Sequence, residues 1–264
     1  MIIEFIGTTG AGKTTLVNNV LADCREQGID ILIGADFVLE QSRLNWIKSK
    51  FARTLCLDLL SSFACLATWR NNFEFYAFAS RVIMRLPVAW FEKLNLARNV
   101  LKKIGIYEIV RRRGSDRQIV LVDEGTLHAA HNLIVHVSVR TNANDLVAFV
   151  RLVPLPDVAI CVTQSESVLI ERTMKRGHKR IPSLSYANTE IFVKRALDTF
   201  DKLVRQLVFE ERMLTLDSKL NVIVARNYQT DPALAMVLKV IRAEVEKDGV
   251  IAVNPSGIAP NPRH

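Results

Sequence analysis

Cysteine is scarce in this sequence, and its spacing excludes a disulfide scaffold. Cys24, Cys56, Cys65 and Cys161 lie far apart, and no two of them form a Cys-x-x-Cys pair. A chain of 264 residues is long enough to bury a core without covalent staples. We therefore expect four reduced thiols, which favours a cytoplasmic location.

Long apolar runs are also missing. Residues 54–69 are too few to span a bilayer and contain Asp58, and residues 73–91 are interrupted by three charged residues. The N-terminus is apolar but lacks a basic leader and continues into glycines, which is typical of a strand rather than a signal peptide. We expect the two apolar segments to be buried helices, and contact with a membrane surface is the less favoured alternative.

The sequence contains no internal repeat, low-complexity block or linker. A single domain over residues 1–253 is the simplest organisation, with a loose proline-containing tail over residues 254–264. The net charge of +8 predicts an anionic partner, namely a nucleotide, a nucleic acid or an acidic membrane surface. Nucleic acid is the least favoured of these, because no basic stripe with interleaved aromatic residues is present.

Short apolar segments alternate with helical patterns along the chain. Strands are predicted at residues 1–6, 29–33, 119–122, 158–162 and 221–225. Helices are predicted over residues 13–27, 43–112 with a break at Pro87, 165–176, 189–212 and 232–247. This alternation predicts an α/β fold of three layers, in which helices flank a parallel sheet and residues 43–112 form a helical insertion.

A phosphate-binding loop follows the first predicted strand. The motif G-x-x-x-x-G-K-[ST] is matched in full by Gly7, Thr8, Thr9, Gly10, Ala11, Gly12, Lys13 and Thr14. Glycines let successive N–H groups turn toward an anion, and the helix that follows directs its positive dipole end at the phosphates. Lys13 can bridge the β- and γ-phosphates of ATP, Thr14 can ligate Mg²⁺, and Thr15 can hold the start of the helix. The loop predicts a site for a nucleoside triphosphate with Mg²⁺, which we expect to be ATP.

Two acids end the apolar segment at residues 119–122. Ligands of open parallel sheets bind beyond the carboxyl ends of the strands, so Asp123 is expected to face the same crevice as the phosphate loop. Its carboxylate can hold Mg²⁺ together with Thr14. Glu124 can orient or deprotonate an incoming nucleophile.

A basic segment over residues 172–187 is a candidate lid. Arg172 and Arg176 are four residues apart on one helix face, and Arg180 follows the helix end. The transition state of phosphoryl transfer is stabilised by positive charge placed next to the transferring phosphoryl group. A basic loop that closes over the bound nucleotide supplies this charge. The alternative is a solvated basic helix with no catalytic role.

Three histidines follow Asp123, at positions 128, 131 and 136. Their spacing matches no strong metal-binding pattern. We therefore expect His128, His131 and His136 to lie at the surface or to pack in the core rather than to bind a metal.

Several segments resemble the P-loop nucleotide and nucleoside kinases, especially the thymidylate kinase and deoxynucleoside kinase branch. The similar segments are the first strand with GTTGAGKT, Pro156-Asp157 before a strand, ERTMKRGHKR and NVIVARNYQTDPALAMVLKVI, which together cover about half of the chain. The resemblance implies Lys13 and Thr14 at the phosphates, Asp123 near Mg²⁺, and lid roles for Arg172, Arg176 and Arg180. Glu124 stands where these kinases usually have an arginine.

Two functions are consistent with these features. The first is a thymidylate kinase-like phosphotransferase that moves the γ-phosphate of ATP to a nucleoside, a nucleotide or a related metabolite. The second is an NTPase switch or regulatory ATPase in which Glu124 polarises water and residues 43–112 dock a partner protein or a membrane. The partners expected are ATP and a small-molecule acceptor, with a homodimer left open.

Overall fold

The computed structural model describes residues 1–115, 118–139, 142–178, 180–181, 185–213, 221–226 and 231–247. Its strands are β1 (Ile2–Ile6), β2 (Ile31–Ile33), β3 (Ile119–Asp123), β4 (Val158–Thr163) and β5 (Asn221–Arg226). Its helices are α1 (Lys13–Glu26), α2 (Gly34–Gln41), α3 (Lys50–Ala67), α4 (Phe73–Arg85), α5 (Trp90–Arg113), α6 (Ala129–Ile134), α7 (Ala143–Leu152), α8 (Glu166–Arg176), α9 (Tyr186–Met213) and α10 (Asp231–Lys247). The tail predicted to be loose lies outside the described residues.

The described strands form one parallel sheet in the order β2-β3-β1-β4-β5. Every residue of β1 is buried, as expected of a central strand in a sheet that is covered on both faces. Parallel pairing places the carboxyl ends of all the strands at one edge. The predicted α/β fold with a parallel sheet is therefore confirmed.

Helices cover both faces of the sheet. Ile3 and Phe5 point toward α1 and α10, where they pack in one hydrophobic cluster with residues such as Leu16 and Ile241. Ile6 points to the opposite face and joins a cluster built largely by α4 to α7 and α9. The alternation of side chains along β1 thus divides the core into two halves, which gives the three predicted layers.

The predicted helical insertion consists of separate helices. The structure breaks residues 43–112 into α3, α4 and α5, with an irregular segment before α3. Ser49 caps α3 by accepting a hydrogen bond from the Ala52 backbone N–H at 3.5 Å, and Leu86 leaves α4 in an extended conformation ahead of Pro87. The structure also contains α2, α6 and α7, which the sequence patterns did not reveal because these helices are short.

All four cysteine thiols are free in the structure. Burial raises the pKa of Cys24 to about 11 and that of Cys161 to about 12, so both stay protonated at neutral pH. Within the described residues, no helix is long and apolar enough to cross a membrane.

Helices α3 and α5 approach each other closely at Gly105. A Cβ atom built on Gly105 would lie 2.3 Å from the carbonyl oxygen of Ser61 and 2.4 Å from its Cα. Both atoms belong to backbone, so no side-chain rotation could relieve the overlap. The glycine in the middle of α5 therefore sets the distance between the two helices.

We expect Gly105→Ala to destabilise the protein by about 2 kcal/mol or more, because α3 must move away from α5. Helix propensity alone predicts the opposite sign, a gain of about 1 kcal/mol. Urea unfolding of the wild type and the variant distinguishes the two effects. An increase in the free energy of unfolding would contradict the close approach of these helices.

Candidate nucleotide-binding site

The phosphate loop connects β1 to α1 and depends on glycine for its path. Gly12 precedes the first residue of α1 with a φ of 94°, in the left-handed region. Gly7 has a φ of 136°, and a Cβ atom there would lie 2.1 Å from the carbonyl oxygen of Val162. A side chain at Gly7 is therefore excluded by both the backbone angle and the neighbouring strand β4.

Lys13 is buried within this loop. Its Nζ donates hydrogen bonds to the carbonyl oxygens of Gly7 and Thr8, each at 3.1 Å. Glu124 supplies the countercharge, with its Oε1 3.6 Å from Nζ. A buried ammonium is costly unless it is paired and hydrogen-bonded, and both conditions are met here. The Lys13 ammonium group therefore lies inside the turn of the phosphate loop.

Thr14 and Asp123 meet at the carboxyl edge of the sheet, as the sequence predicted. The Thr14 hydroxyl donates to Asp123 Oδ2 at 2.7 Å, and Asp123 Oδ1 is buried without a hydrogen-bond partner among the described residues. Burial raises the pKa of Asp123, and the bond from Thr14 opposes that rise. A hydroxyl and a carboxylate that has one oxygen without a partner are ligands that suit Mg²⁺.

Glu124 lies between two lysines, in a left-handed conformation with a φ of 66°. Its Oε2 is 3.9 Å from Lys103 Nζ, and its Oε1 is 3.4 Å from His128 Nε2. Burial alone would raise the pKa of Glu124, but Lys103 and Lys13 outweigh it and hold the pKa below its ordinary value. Glu124 is therefore an ionised carboxylate at neutral pH.

Lys103 is a site residue that sequence reasoning missed. It lies on α5, its Nζ donates to the Glu124 carbonyl oxygen, and its side chain is largely buried. Burial lowers the pKa of Lys103, while the neighbouring Glu124 and Glu4 oppose that effect. A lysine on an apolar stretch of helix was the only sequence signal, and it gave no indication of the partner.

Glu4 is a second residue that the sequence analysis overlooked. It lies on β1, wholly buried, and its carboxylate accepts hydrogen bonds from the backbone N–H groups of Leu127 at 3.1 Å and His128 at 2.8 Å. The Thr126 hydroxyl donates to it at 3.2 Å. These bonds fix the segment after Glu124. Burial raises the pKa of Glu4 to about 7.

The candidate lid arginines occupy different environments. Arg172 donates to the Gly10 carbonyl oxygen at 3.0 Å, which places α8 against the phosphate loop. Arg180 donates to the His131 carbonyl oxygen at 2.9 Å and to Asn132 Oδ1 at 2.6 Å, and burial lowers its pKa to about 10. Arg176 is exposed at the end of α8, and its catalytic role stays a prediction. Of the predicted lid, residues 179 and 182–184 lie outside the described residues.

The three histidines pack in the core, in agreement with the expectation from their spacing. The rings of His128 and His131 stack with centroids 5.2 Å apart, and Phe200 packs against both. Burial lowers the pKa values of His128, His131 and His136, which are therefore neutral. Across the described residues, no group of three or more His, Cys, Asp or Glu side chains is arranged to hold a metal ion.

Two cavities flank the phosphate loop along the carboxyl edge of the sheet. The first has a volume of ≈ 460 Å³ and lies over β2 and β3, where Asp123, Glu124, Lys103 and Arg180 line it. The second has a volume of ≈ 620 Å³ and lies over β4 and β5, with Gly7, Thr8 and Gln164 in its wall. The insertion helices α3 and α5 contribute to the first cavity.

The fold and the site define an α/β protein in which a loop with the sequence pattern G-x-x-x-x-G-K-[ST] lies at the carboxyl edge of a parallel sheet. No family model and no curated protein matches the chain. A solved structure of deoxyadenosine kinase from M. mycoides, with products dCMP and a flexible dCDP bound, covers 92% of this chain and 100% of its own. The two are 12% identical with a TM-score of 0.40. The thymidylate kinase-like type stays a prediction.

The raised pKa of Glu4 makes stability depend on pH. The folded-state pKa of about 7 exceeds the ordinary value of 4.5, so the folded protein binds this proton more tightly than the unfolded chain. We expect the contribution of Glu4 to the free energy of unfolding to fall as pH rises from about 4.5 to about 7, by up to about 3 kcal/mol. Glu4→Gln should remove this dependence.

Urea unfolding at about pH 5 and about pH 8 measures the effect, because the difference between wild type and Glu4→Gln isolates one group from the other titrations. The matched control is Glu74→Gln, at an exposed position on α4. The same pH dependence in wild type and Glu4→Gln would show that Glu4 titrates alike in the folded and unfolded states.

Proposed function

We propose that this protein is an ATP–Mg²⁺-dependent phosphotransferase that moves the γ-phosphate of ATP to a nucleoside, a nucleotide or a related small metabolite. The observation that carries the proposal is the pair of cavities on opposite sides of the phosphate loop. A hydrolase needs room for one nucleotide and a water molecule, whereas a kinase needs a second site for the acceptor. Both cavities fall within the range of ordinary small-molecule sites.

The donor phosphates bind at the phosphate loop in this proposal. Backbone N–H groups at the start of α1 and the Lys13 ammonium hold the phosphates, and Lys13 exchanges its two carbonyl partners for phosphate oxygens. The nucleoside of ATP extends into the cavity over β4 and β5. Support comes from Thr8 Oγ1 and Gln164 Nε2 in its wall, which are buried without hydrogen-bond partners among the described residues.

The acceptor occupies the cavity over β2 and β3. Glu124, ionised there, accepts the proton of the attacking hydroxyl, which is general-base catalysis. Lys103 and Arg180 stabilise the negative charge that spreads over the transferring group. Thr14 and Asp123 would hold Mg²⁺, which when bound neutralises phosphate charge. Charge neutralisation and positioning of this kind account for most of the rate of phosphoryl transfer.

An ATPase is the second candidate, and one observation favours it. Glu124 directly follows an apolar strand and lies 3.6 Å from Lys13 Nζ, close enough to the phosphate loop to polarise a water molecule. The cavity beside Glu124 makes the phosphotransferase the better supported of the two functions, since hydrolysis does not need it. The two candidates differ in what Glu124 deprotonates.

The two functions are distinguished by measuring the release of ADP from Mg-ATP. The measurement is made without an acceptor and with each of a panel of nucleosides and nucleoside monophosphates. We expect one acceptor class to stimulate release and to gain the mass of a phosphoryl group. Glu124→Gln should lower this transfer by at least about 100-fold and leave the acceptor-independent release unchanged. Steady release that no acceptor changes, and that Glu124→Gln abolishes, would instead establish the ATPase.

Lys103→Met tests the acceptor side of the site. We expect kcat/KM for the acceptor to fall by about 100-fold, because the variant lacks a cation that stabilises the negative charge of the transferring phosphoryl group. The affinity for ATP should change by less than about twofold. Lys239→Met, at an exposed position on α10, makes the same change away from both cavities. Equal losses of ATP affinity and acceptor kcat/KM would place Lys103 at the donor phosphates instead.

A further inference from the structure

Helix α3 has two sides, one that is buried in the protein and one that is exposed and apolar. Its inner side packs on α5, where Ser61 meets Gly105. Its outer side carries the apolar face of α3, which we define as Phe51, Leu55, Leu59, Phe63 and Leu66. Spaced by three or four residues, these side chains lie within one strip that is roughly 22 Å long. All five are exposed, with Phe51 at 80% and Phe63 at 68%.

Charge is absent from this face and concentrated around it. Asp58 is the only acid between residues 43 and 73, and it is held by Arg98 and by Lys102 at 3.2 Å. Exposed basic residues flank the strip at both ends, with Lys48 and Lys50 before it and Arg70 after it. Two tryptophans accompany them, because Trp46 and Trp69 are exposed just beyond the two ends of α3.

The positive charge of the whole chain resides in this helical part. Residues 43–113 contain 14 lysines and arginines and four acids, a net charge of +10, whereas the complete chain carries +8. The remainder of the sequence is therefore slightly acidic. An apolar strip that is bordered by tryptophan and basic residues, on a positively charged unit, complements a surface that is apolar inside and anionic outside.

We propose that the apolar face of α3 docks the protein on an anionic lipid bilayer. The helix lies in the plane of the interface, with its five apolar side chains among the acyl chains near the headgroups. Trp46 and Trp69 sit at headgroup level, and Lys48, Lys50 and Arg70 pair with lipid phosphates. This inference goes beyond the phosphotransferase function and does not rest on it.

A second copy of the chain complements this face less well. Pairing two α3 helices in parallel would place Lys48 and Lys50 beside their equivalents. Antiparallel pairing would bring them toward Arg70 of the other copy. In both orientations like charges meet at the ends of the strip, and two segments of net charge +10 face each other. An anionic bilayer meets the same charges with attraction.

Flotation with lipid vesicles tests the proposal on the full chain. We expect binding to phosphatidylcholine vesicles that contain about one-third phosphatidylserine, and binding at least about tenfold weaker to pure phosphatidylcholine. Replacing two aromatic anchors together, Phe51→Ser with Phe63→Ser, should weaken binding roughly 100-fold. Phe209→Ser is the matched control, since it removes an exposed phenylalanine from α9.

The control readouts separate lipid binding from misfolding, from self-association and from the nucleotide site. The double variant should keep the wild-type unfolding midpoint and ATP affinity, because both phenylalanines are exposed. Failure to bind anionic vesicles, or equal binding by the double variant, would overturn the proposal. It would also be overturned by a lipid-free dimer in ultracentrifugation that the double variant abolishes, since a second copy would then cover the face.

Discussion

The parallel pairing of β1 with β3 and β4 brings the phosphate loop, Asp123 and Glu124 together at one edge of the sheet. Because β1 is central, the loop that follows it lies between the ends of its two neighbours. One neighbour brings Asp123 to Thr14, and the other brings the carbonyl oxygen of Val162 against Gly7. The same register leaves a cavity on each side of the loop. A shift of register along β3 would separate the predicted metal ligands and remove the site.

Charge balance is the second constraint on this site. Lys13, Lys103 and Arg180 concentrate positive charge around Glu124 and Asp123. The side chains of both lysines are largely buried, where an unpaired charge would be costly. Each cation is held by a carbonyl oxygen or a carboxylate, so the charges are tolerated without an anion.

The sequence predicts the features that depend on neighbouring residues. The strands, α1 and the phosphate loop follow from apolar runs, helical spacing and glycine positions. The meeting of Thr14 and Asp123 follows from the rule that parallel strands end at one edge. Lys103 and Glu4 could not be predicted, because each acts through a partner more than 20 residues away that only packing brings near. The insertion helices gave no sign of a cavity for the same reason.

Calorimetric titration of Mg-ATP into the wild type and Lys13→Ala tests the central claim most directly, namely that this loop binds the phosphates of a nucleotide. We expect the wild type to bind with one site and the variant to lose at least about 30-fold in affinity, about 2 kcal/mol, since a charge-assisted contact disappears. Lys239→Ala should bind as the wild type does. Unchanged affinity in Lys13→Ala would contradict the account.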